Sequence, residues 1–349
     1  MARRPLARYS SRHMDILWQT LAFAAKGLVV FLTSAAVIAF IAVLARRQRS
    51  GRAHLEVRPL NQRFEALGDA LRTGVWGRKE LKQLRRTRKR ERAHPPEGKP
   101  RVFVVDFQGD LLATAVTSLR EEVSAITAVA APGDEVVVRL ESGGGAVPHY
   151  GLAAAQLARL KDRKIKLTIC IDRVAASGGY LMACVGDRIV AAPFAIIGSI
   201  GVVAQLPNLH RLLKKHDIDF EEATAGEFKR TVSIFGETSE KGRRKFQEQL
   251  EETHGIFKLF VKAQRPALEL DKVATGEYWL ASRSLELGLV DQISTSDEYL
   301  IGRAVEARLF LVAFKPENTW RRRIGQAAAE AADRAVLALL GRLQALELR

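Results

Sequence analysis

Cysteine is scarce: Cys170 and Cys184 are the only two in 349 residues, and both sit in or beside apolar stretches. Free cysteine in such surroundings behaves as a small buried hydrophobe, so no disulfide framework is expected, and two thiols cannot build a four-cysteine metal site. The seven histidines show no His-Glu-x-x-His spacing, and neither a metal nor another cofactor is expected. Aromatic residues make up only 7% of the chain, and none interrupts the basic run Arg85 to Arg92. Without aromatic faces for bases to stack on, nucleic-acid binding is not expected despite a net charge of +16.

That charge is unevenly placed. Residues 46–100 hold 17 Lys and Arg against 6 Asp and Glu, and residues 1–45 hold five against one, which leaves 101–349 almost neutral. The N-terminal segment 1–26 precedes nineteen uncharged residues, Gly27 to Ala45, which as a helix span about 28 Å and form one transmembrane crossing. The run is longer than a signal-peptide core and is followed by arginines, so a retained anchor is expected over a cleaved signal. Met14 opens a stretch that would serve as a natural start, which sets residues 1–13 apart. Residues 46–100 read as a basic, partly helical tether suited to anionic lipid headgroups, ended by Pro95, Pro96 and Pro100. The positive-inside rule alone would place this flank in the cytoplasm.

From Arg101 onward strand-like and helix-like runs alternate. Strands are expected at Arg101–Phe107, Glu135–Leu140, Ile165–Ile171, Arg188–Ala191 and Ile197–Val203. Helices are expected at Ala113–Ala130, His149–Leu160, Asn208–Lys215 and Ser239–Lys262. This is an α/β pattern of βαβ units, with function at the strand ends. The apolar stretch Ala176 to Leu206 contains Asp187, Arg188, Pro193 and several glycines, so it reads as buried core and not as a second membrane span. Residues 101–300 form the expected domain, and 301–349 a helical tail whose part from Ile324 to Leu348 would pack on a neighbouring subunit.

Two glycine-rich turns follow consecutive strands: Glu141-Ser142-Gly143-Gly144-Gly145 and Ala175-Ala176-Ser177-Gly178-Gly179. No Gly-Lys-Ser or Gly-Lys-Thr follows either, which excludes a P-loop. Such turns bring backbone N–H groups together and expose a serine for attack; equally, they are what tight strand-to-helix turns look like. The Gly-x-Ser-x-Gly elbow of histidine-assisted serine enzymes is absent, because Ala175 holds its first glycine position. A desolvated lysine could replace the histidine as base. Lys229, after an expected short strand and beside Gly226 and Phe228, is one candidate, and a solvated surface charge is the plain alternative.

Four strings then carry a resemblance: Leu119-Arg120-Glu121-Glu122, Val174 to Tyr180, Ala192-Pro193-Phe194-Ala195-Ile196 and Gly198-Ser199-Ile200-Gly201-Val202. In combination the chain resembles the signal peptide peptidase A family of membrane serine proteases, from about Met14 to about Asp297. The resemblance implies Ser177 as nucleophile, Lys229 as general base, Ser199 as the hydroxyl that orients the lysine, and Gly144 and Gly178 as oxyanion N–H donors. It makes Gly288-Leu289-Val290-Asp291 a structural closing segment. It implies a Clp protease/crotonase-like fold of repeated βαβ units and a homo-oligomeric ring in which one subunit's serine meets its neighbour's lysine. It also places the domain on the periplasmic side of a bacterial inner membrane, acting on unfolded or signal-peptide-derived polypeptides. One departure stands out: the family usually has Ser-Pro-Gly-Gly where this chain has Ser142-Gly143-Gly144-Gly145. The rival functions are a catalytically silent membrane scaffold and a crotonase-like hydratase, the latter short of acids on the first turn, where only Glu141 stands.

Overall fold

The computed structural model describes residues 53–77, 79–83 and 98–316. The expected transmembrane run Gly27 to Ala45, residues 1–13 and the segment Ile324 to Leu348 lie outside them. Among the described residues no helix is long and apolar enough to cross a membrane.

The strands are β1 (His54–Pro59), β2 (Arg101–Gly109), β3 (Glu135–Ser142), β4 (Lys166–Ile171), β5 (Val174–Ala176), β6 (Arg188–Ala191), β7 (Ile196–Gly198), β8 (Tyr278–Leu280), β9 (Gln292–Ile293) and β10 (Arg308–Lys315). They join in one sheet of order β1-β10-β2-β3-β4-β6-β9, from which β5, β7 and β8 branch. The β2–β3, β3–β4 and β4–β6 pairings are parallel, as βαβ crossovers require. Strands covered on both faces carry consecutive apolar residues, and β2 does so from Val102 to Val105 and β3 from Val136 to Val138. Phe103, Val105 and Phe107 enter one core cluster with Val136, Val138 and Leu140, while Val102, Val104 and Val137 enter the other.

The first face is covered by α2 (Val116–Val129), α3 (Val147–Asp162) and the short α4 (Gly178–Ala183), and the second by α1 (Leu60–Val75) and α9 (Ser296–Glu306). A charged network pins α9 to the second face: the carboxylate of Glu135, 1% exposed, accepts from Thr168 Oγ1 (2.6 Å), Tyr299 OH (2.6 Å) and Arg303 Nε (2.9 Å). The remaining helices are α5 (His210–Lys215), the long α6 (Glu240–Gln264), α7 (Leu270–Val273) and α8 (Ala281–Glu286).

The α/β expectation stands, and the reading of Ala176 to Leu206 as core holds as far as Ile200, where Tyr180, Met182, Ile189, Val190 and Ile197 are fully buried, but not beyond, since Val203 and Leu206 are exposed. Cys170 and Cys184 are free and buried, and burial pushes the Cys184 thiol up to about 12.

Several boundaries differ. The compact unit runs from Leu55 to Lys315 and not from 101 to 300. Part of the expected tether is folded into it, because Leu60 is buried and Asn61 bonds the backbone of Ala304, Ala307 and Leu309. Residues 308–315 of the expected helical tail form β10, which pairs in parallel with β2. The strand expected to reach Val203 stops at Gly198, because Ser199 turns to φ 50° and Val203 is 80% exposed. The short strand expected just before Lys229 is absent, as no strand lies between Gly198 and Lys229. The segment Gly288–Asp291 does close the domain: the Asp291 carboxylate accepts from Ile189 N and Arg265, and Tyr180 OH donates to the Leu289 carbonyl.

Candidate active site

The branch of the sheet explains why three turns meet. β5 pairs in parallel with β3 through Ser142 and Ala175 and with β7 from Val174 to Ala176, so the C-terminal ends of β3, β5 and β7 lie side by side. Those ends carry the Gly143–Gly145 turn, Ser177 and Ser199. Strand ends in an open α/β sheet leave their backbone dipoles and side chains free for a ligand.

Ser177 occupies a conformation that side chains rarely adopt, φ 53° and ψ −119°. A residue with a Cβ pays roughly 1–3 kcal/mol for such a backbone, so the surrounding structure must hold it there. Its N–H donates to the Gly198 carbonyl (2.8 Å) and its carbonyl accepts from Leu181 N–H (3.0 Å), which starts α4. The main chain is thus fixed on both sides of the serine. The side chain stands at the junction of two cavities.

The glycines around it are sterically required. A Cβ on Gly144, which has φ +90°, would lie 2.7 Å from both Gly178 N and Ser177 Cβ; one on Gly178 would lie 2.4 Å from Tyr150 Cγ. Gly144 therefore sits directly against the serine turn. In the single chain its N–H donates to Ser142 Oγ (3.1 Å). Tyr150 OH donates to the Asp110 carbonyl (2.7 Å), so the 2.6 Å contact between the Ser142 and Tyr150 hydroxyls must take its proton from Ser142. A directed chain results, from Gly144 N–H through Ser142 and Tyr150 to Asp110. Tyr150 was not anticipated as a site residue, and no local sequence signal marks it.

The first cavity holds about 360 Å³ and is apolar, with Val147, Tyr150, Ala154, Leu181, Phe257 and Phe260 among its walls. The second, about 820 Å³, brings Ser177 together with Ser199, Gly144 and His254. His254 was also unanticipated. A carbonyl can only accept, so the 3.2 Å contact of His254 Nε2 with the Ile200 carbonyl makes that nitrogen a donor, unable to take a proton from serine.

Lys229 lines neither cavity. It is exposed, in a stretch without helix or strand, and its backbone N–H bonds the Gly226 carbonyl (3.1 Å). Of the five expected site residues, Gly144, Ser177, Gly178 and Ser199 are brought together within one chain and Lys229 is not.

Residues 159–308 match the family described as peptidase family S49, and residues 15–157 match peptidase family S49 N-terminal. The chain belongs to peptidase family S49. Among its relatives in that family, the probable protease SohB of Haemophilus influenzae is 46% identical over 333 residues, covering 91% of this chain and 94% of the relative. The probable protease SohB of Buchnera aphidicola subsp. Schlechtendalia chinensis is 41% identical, covering 83% of this chain and all of the relative. The resemblance carried by the four strings is borne out, and the chain is a SohB-like S49 serine protease. Among solved structures, a 1510-N membrane-bound stomatin-specific protease is similar at 14% identity over 59% of this chain and 85% of that one, with a TM-score of 0.37; so slight a likeness carries no argument about the site.

Proposed function

We propose that the S49 protease chain is a membrane-anchored endopeptidase with a serine-lysine dyad, Ser177 and Lys229, built on a Clp protease/crotonase-like fold. The observation that carries the proposal is the convergence of Gly144, Ser177 and Ser199 at the ends of three adjacent parallel strands, with Ser177 held at φ 53°.

In this reading Ser177 Oγ attacks the scissile carbonyl while the neutral Lys229 amine takes its proton. The oxyanion accepts from Gly178 N–H and from Gly144 N–H, which gives up Ser142 Oγ. Lys229 returns the proton to the leaving amine, and the acyl chain stays as an ester on Ser177. Water then attacks the ester, Lys229 accepts the water's proton, and that proton goes back to Ser177 Oγ. Ser199 hydrogen-bonds the amine and holds it in line.

A lysine must lose water to act as a base, and Lys229 in the single chain is solvated. A second copy would supply the burial. The stretch around Lys229 carries exposed Val203, Leu212, Ile218, Phe220, Phe228 and Phe235, apolar surface of the kind a subunit contact covers. This supports a ring in which the dyad is shared between neighbours. Substrates are unfolded or signal-peptide-derived polypeptides, whose extended apolar side chains suit the cavity beside Ser177. We place the domain on the periplasmic side of a bacterial inner membrane, with the basic tether near lipid headgroups; a phosphatase fusion after Pro100 is active only if that junction is exported.

The test is hydrolysis of unfolded casein by the purified oligomer, comparing the parent with Ser177→Ala and Lys229→Ala. Loss of cleavage in both variants with assembly intact is expected. Cleavage that survives either change refutes the dyad, and a parent that never cleaves leaves the scaffold reading.

A further inference from the structure

Gly151 lies inside α3 and lines the apolar cavity beside Ser177. Glycine is the poorest helix former after proline, so an interior helical glycine needs a reason. Two usual reasons fail here. Its φ is not among the positive values, and a Cβ built on it meets no heavy atom within 4 Å apart from its chain neighbours and its own helix backbone. Neither backbone conformation nor a close approach demands glycine. The contrast with Gly178 is direct, since a Cβ there would strike the Tyr150 ring. What remains at Gly151 is the cavity itself. Its next neighbour on the same helix face, Ala154, is also small and also lines it, whereas Val147 and Tyr150 form bulkier walls.

We infer that Gly151 sets the depth of the subsite that receives a substrate side chain adjoining the scissile bond. Left empty by Gly151 and walled by Leu181, Phe257 and Phe260, the space admits long aliphatic and aromatic side chains and excludes charged ones, for no Asp, Glu, Lys, Arg or His lines it to pair with them. A leucine at 151 would occupy the floor and turn the preference toward alanine. The inference rests on the reading of Ser177 as the nucleophile, and its test keeps the two apart.

Full-length parent, Gly151→Ala, Gly151→Leu and Ser177→Ala are assayed on a pair of peptides that differ only in carrying Phe or Ala at the residue on the acyl side of the bond cut in casein. In Gly151→Leu the Phe-to-Ala ratio of kcat/KM falls on the order of tenfold or more, the usual discrimination per methylene in an apolar pocket, and Gly151→Ala moves the same way by less. Both variants gain helix propensity, so their thermal midpoints stay at or above the parent's. Should the leucine variant fold poorly, the direction of the alanine variant decides. An unmoved ratio with Ser177→Ala silent overturns the role of Gly151 alone. Cleavage by Ser177→Ala at the parent rate, or none by the parent, removes the site reading and this inference with it.

Discussion

Glu122 is 5% exposed on α2, with one carboxylate oxygen accepting Phe314 N–H at 2.8 Å. Burial pushes its pKa up to about 7; the Phe314 N–H and Lys315 oppose the rise, and Asp106 adds to it. Because the native state binds this proton more tightly than an unfolded chain, the stability it contributes is full below the ordinary value of 4.5 and is lost as pH rises to about 7. Glu122→Gln keeps an acceptor for Phe314 and has no charge to bury. Urea unfolding should find the variant more stable than the parent by on the order of 1–3 kcal/mol at pH 8 and close to it at pH 4.5. A variant weaker at pH 8 would show that the carboxylate is held as a favourable anion. At the same scale, Tyr150→Phe removes the hydroxyl that joins Ser142 to the Asp110 carbonyl. The expected cost is about 1–3 kcal/mol in unfolding, since Ser142 loses a buried bond and the Asp110 carbonyl a part-buried one. The ring still walls the apolar cavity, so kcat should fall while KM changes little. A KM rise at constant kcat would mean that the hydroxyl serves the cavity and not the Gly144 turn.

Among the elements, the turn after β3 offers a sharper test because the chain has Gly143 where the family usually has proline. A Cβ at Gly143 meets nothing within 4 Å, and its φ is not positive. Gly143→Pro should therefore stabilise by about 0.4–1 kcal/mol through the unfolded state, and Ser142, already extended at the end of β3, suits the position before proline. Lower stability in thermal unfolding would show that the Gly143 N–H has a partner the turn needs. What was readable in the sequence follows the same physics. β2, β3 and β6 each hold an unbroken apolar stretch, Val102–Val105, Val136–Val138 and Ile189–Ala191, and were placed within two residues, because burial on both faces leaves consecutive apolar positions. Ser177 and its glycines were visible because a tight turn leaves a local composition. β1 and β10 were not, since each is a strand only through partners far along the chain. The Tyr150 hydroxyl was equally hidden: its acceptor lies 40 residues upstream.

At the scale of the assembly, Ser177 sits in a prepared cleft while Lys229 stands in solvent. A dyad completed by a neighbour predicts that a demonstrably monomeric chain is inactive, although dilution also weakens substrate encounters and is a blunt test. Mixing is sharper. Ser177→Ala keeps the lysine and Lys229→Ala keeps the serine, so rings assembled from equal amounts of the two contain some sites with both groups intact. Random assembly gives about a quarter of the parent rate, because half of the serines are intact and half of those face an intact lysine. A dyad formed within one chain gives no recovery at any ratio, since neither variant holds both groups. The casein rate of co-refolded mixtures, measured against each variant alone, separates the two arrangements.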